Sequence, residues 1–316
     1  RMTRERTILL VSILASFVAF LDGSVVNVAL PAITREFGGG LLLQQWTSDA
    51  YLITLGALIL IAGSLADLFG QRRIMSLGLY GFLVASVLCA IAPNGNFLIF
   101  ARALQGIAGA LLVPSSLSLI IATFKGEEQA RAIGSWTAWT GISFLIGPLV
   151  GGFLVDTFSW RWIFALNVLP IAVTLWLLNR LQTPEHTHPG ARVDVRGAVL
   201  CSVGLASLVY ALIEQPTKGW GDPFICGPLV LGILLMSLFI AHERRTDQPM
   251  LPLQLFTIRN FSAGNAATFA IYGGLSIAIF LITVFMQEVG HYSALAAGMA
   301  TVPVTVMMFF LSARLG

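Results

Sequence analysis

The sequence predicts an all-α polytopic membrane protein, and three observations carry that reading. Hydrophobic residues make up 57% of the 316 positions and charged residues only 10%, whereas a soluble domain is about one-quarter charged. The apolar residues fall in ten runs, each near the ~20 residues an α-helix needs to cross the hydrocarbon. The runs are continuous rather than alternating, which excludes a β-barrel.

The runs cover residues 7–33, 46–66, 74–92, 97–123, 131–155, 161–180, 196–214, 223–242, 261–288 and 295–315. The first is too long for a signal-peptide core and lacks a small-residue cleavage site, so it is expected to remain as a span. With the N-terminus placed in the cytoplasm, fourteen Lys and Arg residues fall in inside segments, among them Arg4, Arg6, Arg72, Arg73, Arg180, Arg244 and Arg245. Three fall outside: Arg35, Arg161 and Lys218. That asymmetry sets the orientation by the positive-inside rule. The eighteenth cation, Arg102, lies inside the fourth run. Two longer polar loops, 181–195 and 243–260, bracket the seventh and eighth runs. The chain thus divides into six helices, a pair, and two more: 1–182, 183–258 and 259–316.

A net charge of +3 without a basic, aromatic-interleaved stripe gives no reason to expect a nucleic-acid partner. Cys89, Cys201 and Cys226 sit in separate apolar runs, with neither a disulfide frame nor zinc spacing. His186 and His188 read as a solvated linker rather than a metal site, so no metal is expected.

Asp22 interrupts the apolar stretch FLDGSVVNVALP roughly 15 Å below the outer end of the first run, at about 1.5 Å rise per residue. On the same rise Arg102 is roughly 9 Å down and Asp49 roughly 6 Å down, within reach of one another through the long arginine side chain. A buried charge costs on the order of 3 kcal/mol even on a lenient scale, so such groups survive by pairing or by facing a cavity. Asp22 and Arg102 read either as a structural ion pair joining two helices or as a proton site; Asp49 reads either as a carboxylate reaching the headgroups or as part of the same site. In RALQGIAGA, Arg102, Gln105, Gly106 and Gly109 share one helical stripe, suited both to close packing and to a polar face. In GPLVGG, Pro148 removes a helical hydrogen bond, and Gly147 and Gly151 make a close-packing face beside Gly152, a plausible hinge. In GSLADLFGQRR, Gly63 to Arg73, Asp67 stands at a helix C-terminus, where the dipole disfavours it. It is expected either to pair with Arg72 or Arg73, or to latch onto another helix.

GSLADLFGQRR resembles the cytoplasmic-loop signature of the major facilitator superfamily, RALQGIAGA its fourth-helix signature, and GPLVGG the fifth-helix signature of drug:proton exchangers. LDGSVVNVALP, QWTSDAYLI, SWRWIFALNVLP, MLPLQLFTIRNF and SALAAGMATVP are similar to segments of the fourteen-helix drug:proton antiporter branch, the EmrB/QacA type. The resemblance implies a major facilitator fold: an N-terminal six-helix bundle, two inserted linker helices and the first two helices of a C-terminal bundle. It implies that Asp22 and Arg102 serve proton coupling, that Gly63, Asp67, Gly70, Arg72 and Arg73 form a loop latch, and that Gly147, Pro148, Gly151 and Gly152 form a hinge. Leu68, Gln71 and Ser143 depart from the usual residues of these signatures. Since the branch has fourteen helices and this chain shows ten, a truncated chain is expected, in preference to one completed by another polypeptide.

The expected function is proton-coupled multidrug efflux by alternating access. No cofactor is expected; a gradient is the energy source, because the phosphate-binding signature G-x-x-x-x-G-K-[ST] is lacking. Lipophilic cations would find countercharge at Asp22 or Asp49 and aromatic faces at Trp46, Tyr51, Trp136 and Trp139, with Gln105 beside them. Those aromatics read equally as interfacial anchors. The partners expected are small hydrophobic or cationic substrates, membrane lipid and, in a cell with two membranes, a periplasmic adaptor. The family implies a bacterial inner membrane. An exporter of an endogenous lipid, peptide or metabolite and a non-transporting membrane subunit are the alternatives; an enzyme is not expected, as no nucleophile–base constellation falls in the spans.

Overall fold

The computed structural model describes residues 4–181, 193–247 and 249–315. Among the described residues eleven α-helices follow one another: α1 (Arg4–Phe37), α2 (Gly40–Phe69), α3 (Gln71–Ala90), α4 (Gly95–Thr123), α5 (Gly126–Thr157), α6 (Trp162–Ala165), α7 (Val168–Arg180), α8 (Val195–Lys218), α9 (Pro223–Glu243), α10 (Arg259–Glu288) and α11 (Ala294–Leu315). Each of the ten apolar runs becomes a span. Among the described residues nine spans are long and apolar enough to cross a membrane, and α11 continues the pattern with a shorter apolar stretch, Ala294–Val304. Helices are the economical solution in oil, because each satisfies its own backbone hydrogen bonds. The polar loop carrying His186 and His188 lies outside the described residues.

The helix ends follow local chemistry. The α1–α2 turn runs through Gly38, Gly39 and Gly40, all at positive φ, and the α2–α3 turn through Gly70 at φ 93°; side chains other than glycine rarely adopt this region. The Asn94 side chain accepts the Phe97 N–H at 2.9 Å and caps α4. Asp194 and Asp222 cap α8 and α9 in the same way, the latter followed by Pro223 in the first helical turn.

The sixth run is the one place where a continuous helix was expected and a broken one is found. The chain leaves regular helix at Leu166 and Asn167, between α6 and α7. Pro170 is the cause: it lacks the N–H that would bond the Leu166 carbonyl, and its ring crowds that carbonyl.

α1 is the central helix, packed against α2, α4, α5 and α7. The α8–α9 hairpin leans on α2, while α10 and α11 pack on α1 and α5. The core forms two apolar layers. One holds Val11, Ala15, Val18, Met75, Leu79, Phe82, Leu112, Ile171 and Leu178. The other, nearer the end away from the N-terminus, holds Val26, Ala29, Leu30, Cys89, Leu98, Trp160, Ile163 and Phe164. On α1, α3, α4 and the α6–α7 segment alike, a polar residue separates the two.

Candidate functional site

Between the apolar layers Asp22 from α1, Ser86 from α3, Arg102 and Gln105 from α4, and Asn167 from the break between α6 and α7 meet with no solvent exposure. Arg102 Nη1 pairs with Asp22 Oδ2. Gln105 Nε2 donates to Asp22 Oδ1 at 2.7 Å, and Asn167 Nδ2 donates to the same oxygen at 2.8 Å. Both amides also reach Ser86 Oγ, at 3.0 and 3.3 Å. Arg102 is fixed further by donating Nη1–H to Gln105 Oε1 at 2.6 Å and Nε–H to the Thr47 carbonyl at 3.0 Å. Its guanidinium lies over the Tyr51 ring, 4.4 Å from the centroid, an attraction that strengthens without water. Tyr51 is locked in turn by donating its hydroxyl to the Ala19 carbonyl at 2.9 Å.

Two polar atoms of this layer are buried without a partner, Arg102 Nη2 and Asn167 Oδ1. A buried carboxylate with three donors and an arginine with one unused arm can exchange partners at modest cost, because any rearrangement keeps some bonds made. Removing either charge alone is the costly change, since the other is left buried and uncompensated.

The glycines of the fourth and fifth spans let the neighbouring helices approach. A Cβ on Gly106 would collide with the Tyr51 carbonyl and Thr54 Oγ1, and one on Gly109 would sit 3.2 Å from the Tyr51 hydroxyl. Gly147 and Gly151 seat α5 on Ser24, Val25 and Val28 of α1. Gly152 and Pro148 face α11, where a Cβ on Gly152 would lie 2.7 Å from the Ala294 carbonyl oxygen. α5 runs unbroken through Pro148.

The expected substrate-binding residues divide between the polar layer and its surroundings. Tyr51 and Gln105 are inside it, closed to any substrate in this conformation. Trp46 turns toward α8, donating Nε1–H to Glu214 at 2.9 Å and packing 6.0 Å from the Tyr210 ring. It borders a groove of ≈ 610 Å³ with Thr54, Ile107, Ser202 and Tyr210. Trp136 on α5 donates to Ser16 Oγ at 3.0 Å, and Trp139 is 53% exposed. Asp49 is half-buried. The aromatic candidates therefore belong to two sides of the bundle rather than one cluster. Near the C-terminal end of α2, Asp67 makes no ion pair with Arg72 or Arg73 among the described residues, and Gly63 has open space beside it.

Three residues carried no signal of their own, two of them in the network. Ser86 and Asn167 are small polar groups that membrane helices tolerate singly, and only the register of four helices brings them to Asp22. Asp156, at the end of α5, accepts the N–H groups of Ala294 and Leu295; the sequence marks it only as an acid near an interface.

Comparison with known proteins bears on what such a layer serves. The sequence profile of the Major Facilitator Superfamily matches residues 12–316. The chain is 37% identical over 302 residues to the methylenomycin A resistance protein of Bacillus subtilis, covering 94% of this chain and 64% of that protein. It is 35% identical to the multidrug transporter MdtP of the same organism, covering 98% and 57%, and 34% identical to the tetracenomycin C resistance and export protein of Streptomyces glaucescens, covering 96% and 56%. The chain thus spans about three-fifths of the length of these curated relatives. Among solved structures, a peptide transporter POT in complex with sulfate aligns over 77% of this chain and 53% of its own, with a TM-score of 0.52 at 17% identity, a likeness of fold.

Proposed function

The chain belongs to the Major Facilitator Superfamily, and from that premise we propose that it is part of a proton-coupled multidrug efflux transporter of the fourteen-helix antiporter branch. It is an integral membrane protein, with nine described helices able to cross a bilayer. The names of its relatives, resistance proteins for methylenomycin A, puromycin and several drugs, support small-molecule export. The observation that carries the proton-coupled reading is the Asp22–Arg102 pair at zero exposure between two apolar layers. A carboxylate held there is worth its desolvation cost if its charge changes during the cycle.

In this reading Asp22 takes a proton from the outward-facing state. Neutralised, it no longer holds Arg102 by charge, and the arginine turns its unused arm to another partner. Release of the proton on the inner side restores the pair and resets the carrier. A proton moving inward gains about 2.3 kcal/mol per 100 mV of membrane potential, which drives substrate the other way. With the N-terminus cytoplasmic, the contacts between the first six spans and the α10–α11 pair lie at the outer end. Gln44 Nε2 donates to Glu288 at 2.6 Å, Gln287 Nε2 to the Val28 carbonyl at 3.0 Å, and Asp156 caps α11. That arrangement is the outer side closed. The host membrane is a bacterial plasma membrane, and lipophilic, often cationic compounds are the substrates.

The test is proton flux in liposomes carrying the protein at its native length, with a trapped pH dye, an imposed gradient and ethidium added outside. Wild type is expected to move protons when the cation is added, and Asp22→Asn not to. Equal flux in both would make Asp22 a structural rivet.

A further inference from the structure

Asn167 is the least explained member of the polar layer. It stands at the break between α6 and α7, where Pro170 leaves the Leu166 carbonyl without its helical partner. Its amide N–H reaches Asp22 Oδ1 at 2.8 Å and Ser86 Oγ at 3.3 Å. Its own carbonyl oxygen is buried and unpartnered. Burying an amide oxygen without a partner costs free energy in any single state, so a residue that served only to fill this position would be better replaced by an apolar one.

The amide is the side chain able to satisfy both charge states of a carboxyl group. Toward an ionised Asp22 it offers N–H, as observed. Toward a protonated Asp22 a half-turn about its last torsion presents Oδ1 to the carboxylic O–H; the oxygen gains a partner as the amide N–H groups leave theirs, so each orientation matches one charge state of the carboxyl. No other donor to Asp22 has this freedom. Arg102 has no acceptor, and the Gln105 carbonyl is already engaged by Arg102 Nη1 at 2.6 Å. The titratable and charged groups that face Asp22 are Arg102 from α4, Tyr51 from α2 and Cys89 from α3; none lies on α6 or α7, so Asn167 is that segment's polar contact with the carboxyl.

We infer that Asn167 is a positioning residue that reads the protonation of Asp22, donating to the carboxylate and accepting from the acid. The inference rests on the reading of Asp22 as the proton site.

The experiment is pH-difference infrared spectroscopy of the full-length protein in lipid, following the carboxylic C=O band that Asp22→Asn removes. In wild type the protonated Asp22 donates its O–H to Asn167 Oδ1, so Asn167→Leu, which withdraws that acceptor, is expected to change the frequency of the band. Asn167→Ser, which can both donate and accept, is expected to leave it nearer the wild-type frequency, which guards against a folding defect in the leucine variant. If Asp22→Asn removes the band but both Asn167 variants leave its frequency unchanged, Asn167 is structural and the inference is overturned. If the band survives in Asp22→Asn, Asp22 is not the titrating group, and the proton-site reading falls together with the inference.

Discussion

The Asp156 carboxylate accepts the Leu295 N–H at 2.8 Å and the Ala294 N–H at 3.0 Å, so the last turn of α5 caps the first turn of α11. The contact crosses between the first six spans and the following pair, and it uses the positive end of the α11 dipole. Loss of a helix cap costs about 1 kcal/mol, roughly fivefold in a two-state ratio. We expect Asp156→Ala to loosen this end of the interface by about that factor. The measurement is the labelling rate of Leu295→Cys by a membrane-impermeant maleimide, compared with and without the Asp156 change. An unaltered rate would mean the cap does not hold the two units together.

The same seam makes a second expectation. A Cβ on Gly152 would lie 2.5 Å from Leu295 Cα and 2.7 Å from the Ala294 carbonyl oxygen, both backbone atoms that cannot swing aside. Gly152→Ala should therefore push α11 from α5 and cost about 1–3 kcal/mol, the usual range for overpacking. Gly63 has open space around its Cβ position, and Gly63→Ala should be neutral or gain up to about 1 kcal/mol of helix propensity. Thermal unfolding in detergent separates the two; equal shifts would remove the steric argument.

How far the site could be read in advance depended on cost. Asp22 and Arg102 stood out because lone charges in apolar runs are expensive; depth put both Asp22 and Asp49 within reach of Arg102, and helix rotation selects Asp22. The spans stood out for the same reason of length in oil. Asn167 and Ser86 did not, because a single amide or hydroxyl is cheap in a membrane helix, and their meeting depends on how α1, α3, α4 and the α6–α7 break are rotated. Pro170 was visible, but the residue that its break would free was not. Trp46, Tyr51, Trp136 and Trp139 read as one aromatic set; the fold turns Trp46 toward α8, buries Tyr51 against Arg102, sets Trp136 on Ser16 of α1 and leaves Trp139 exposed, a separation that only packing decides. Asp67 read as needing a partner, yet it meets neither Arg72 nor Arg73, since the tight Gly70 turn carries both arginines onto the next helix.

The Asp22–Arg102 pair should show strong coupling. Asp22→Asn leaves Arg102 buried and uncompensated, and Arg102→Gln does the same to Asp22. Each single change should cost about 3–5 kcal/mol of stability. The double variant removes both charges and keeps polar groups to bond with Gln105 and Asn167, so it should be more stable than the sum of the two losses by an amount at the upper end of the coupling range, about 3 kcal/mol. Denaturant unfolding of all four proteins in the same micelle gives the cycle. Additive losses would mean that the charges do not sense one another.

The clasp at the base of the α8–α9 hairpin should respond to acid. His242 Nε2 lies 2.9 Å from both Asp194 oxygens, and Asp194 also caps α8 by accepting the Gly197 N–H at 2.9 Å. Burial alone would push the Asp194 carboxyl up, but the Gly197 amide, the His242 ring and the Glu243 side chain together hold it below the usual carboxylate value. A carboxyl lowered in the folded state stabilises that state above its unfolded value. The contribution is lost as the pH falls through the folded value, because protons then bind equally to both states. The protection of the first turn of α8 against hydrogen exchange, taken relative to the unstructured-chain rate at each pH, should thus fall on acidification below the ordinary carboxylate range. In Asp194→Asn, which keeps the cap oxygen but cannot ionise, protection should be lower at neutral pH and should lose the fall through that range. A wild-type profile as flat as the variant's would show that the clasp carries no charge-dependent stability.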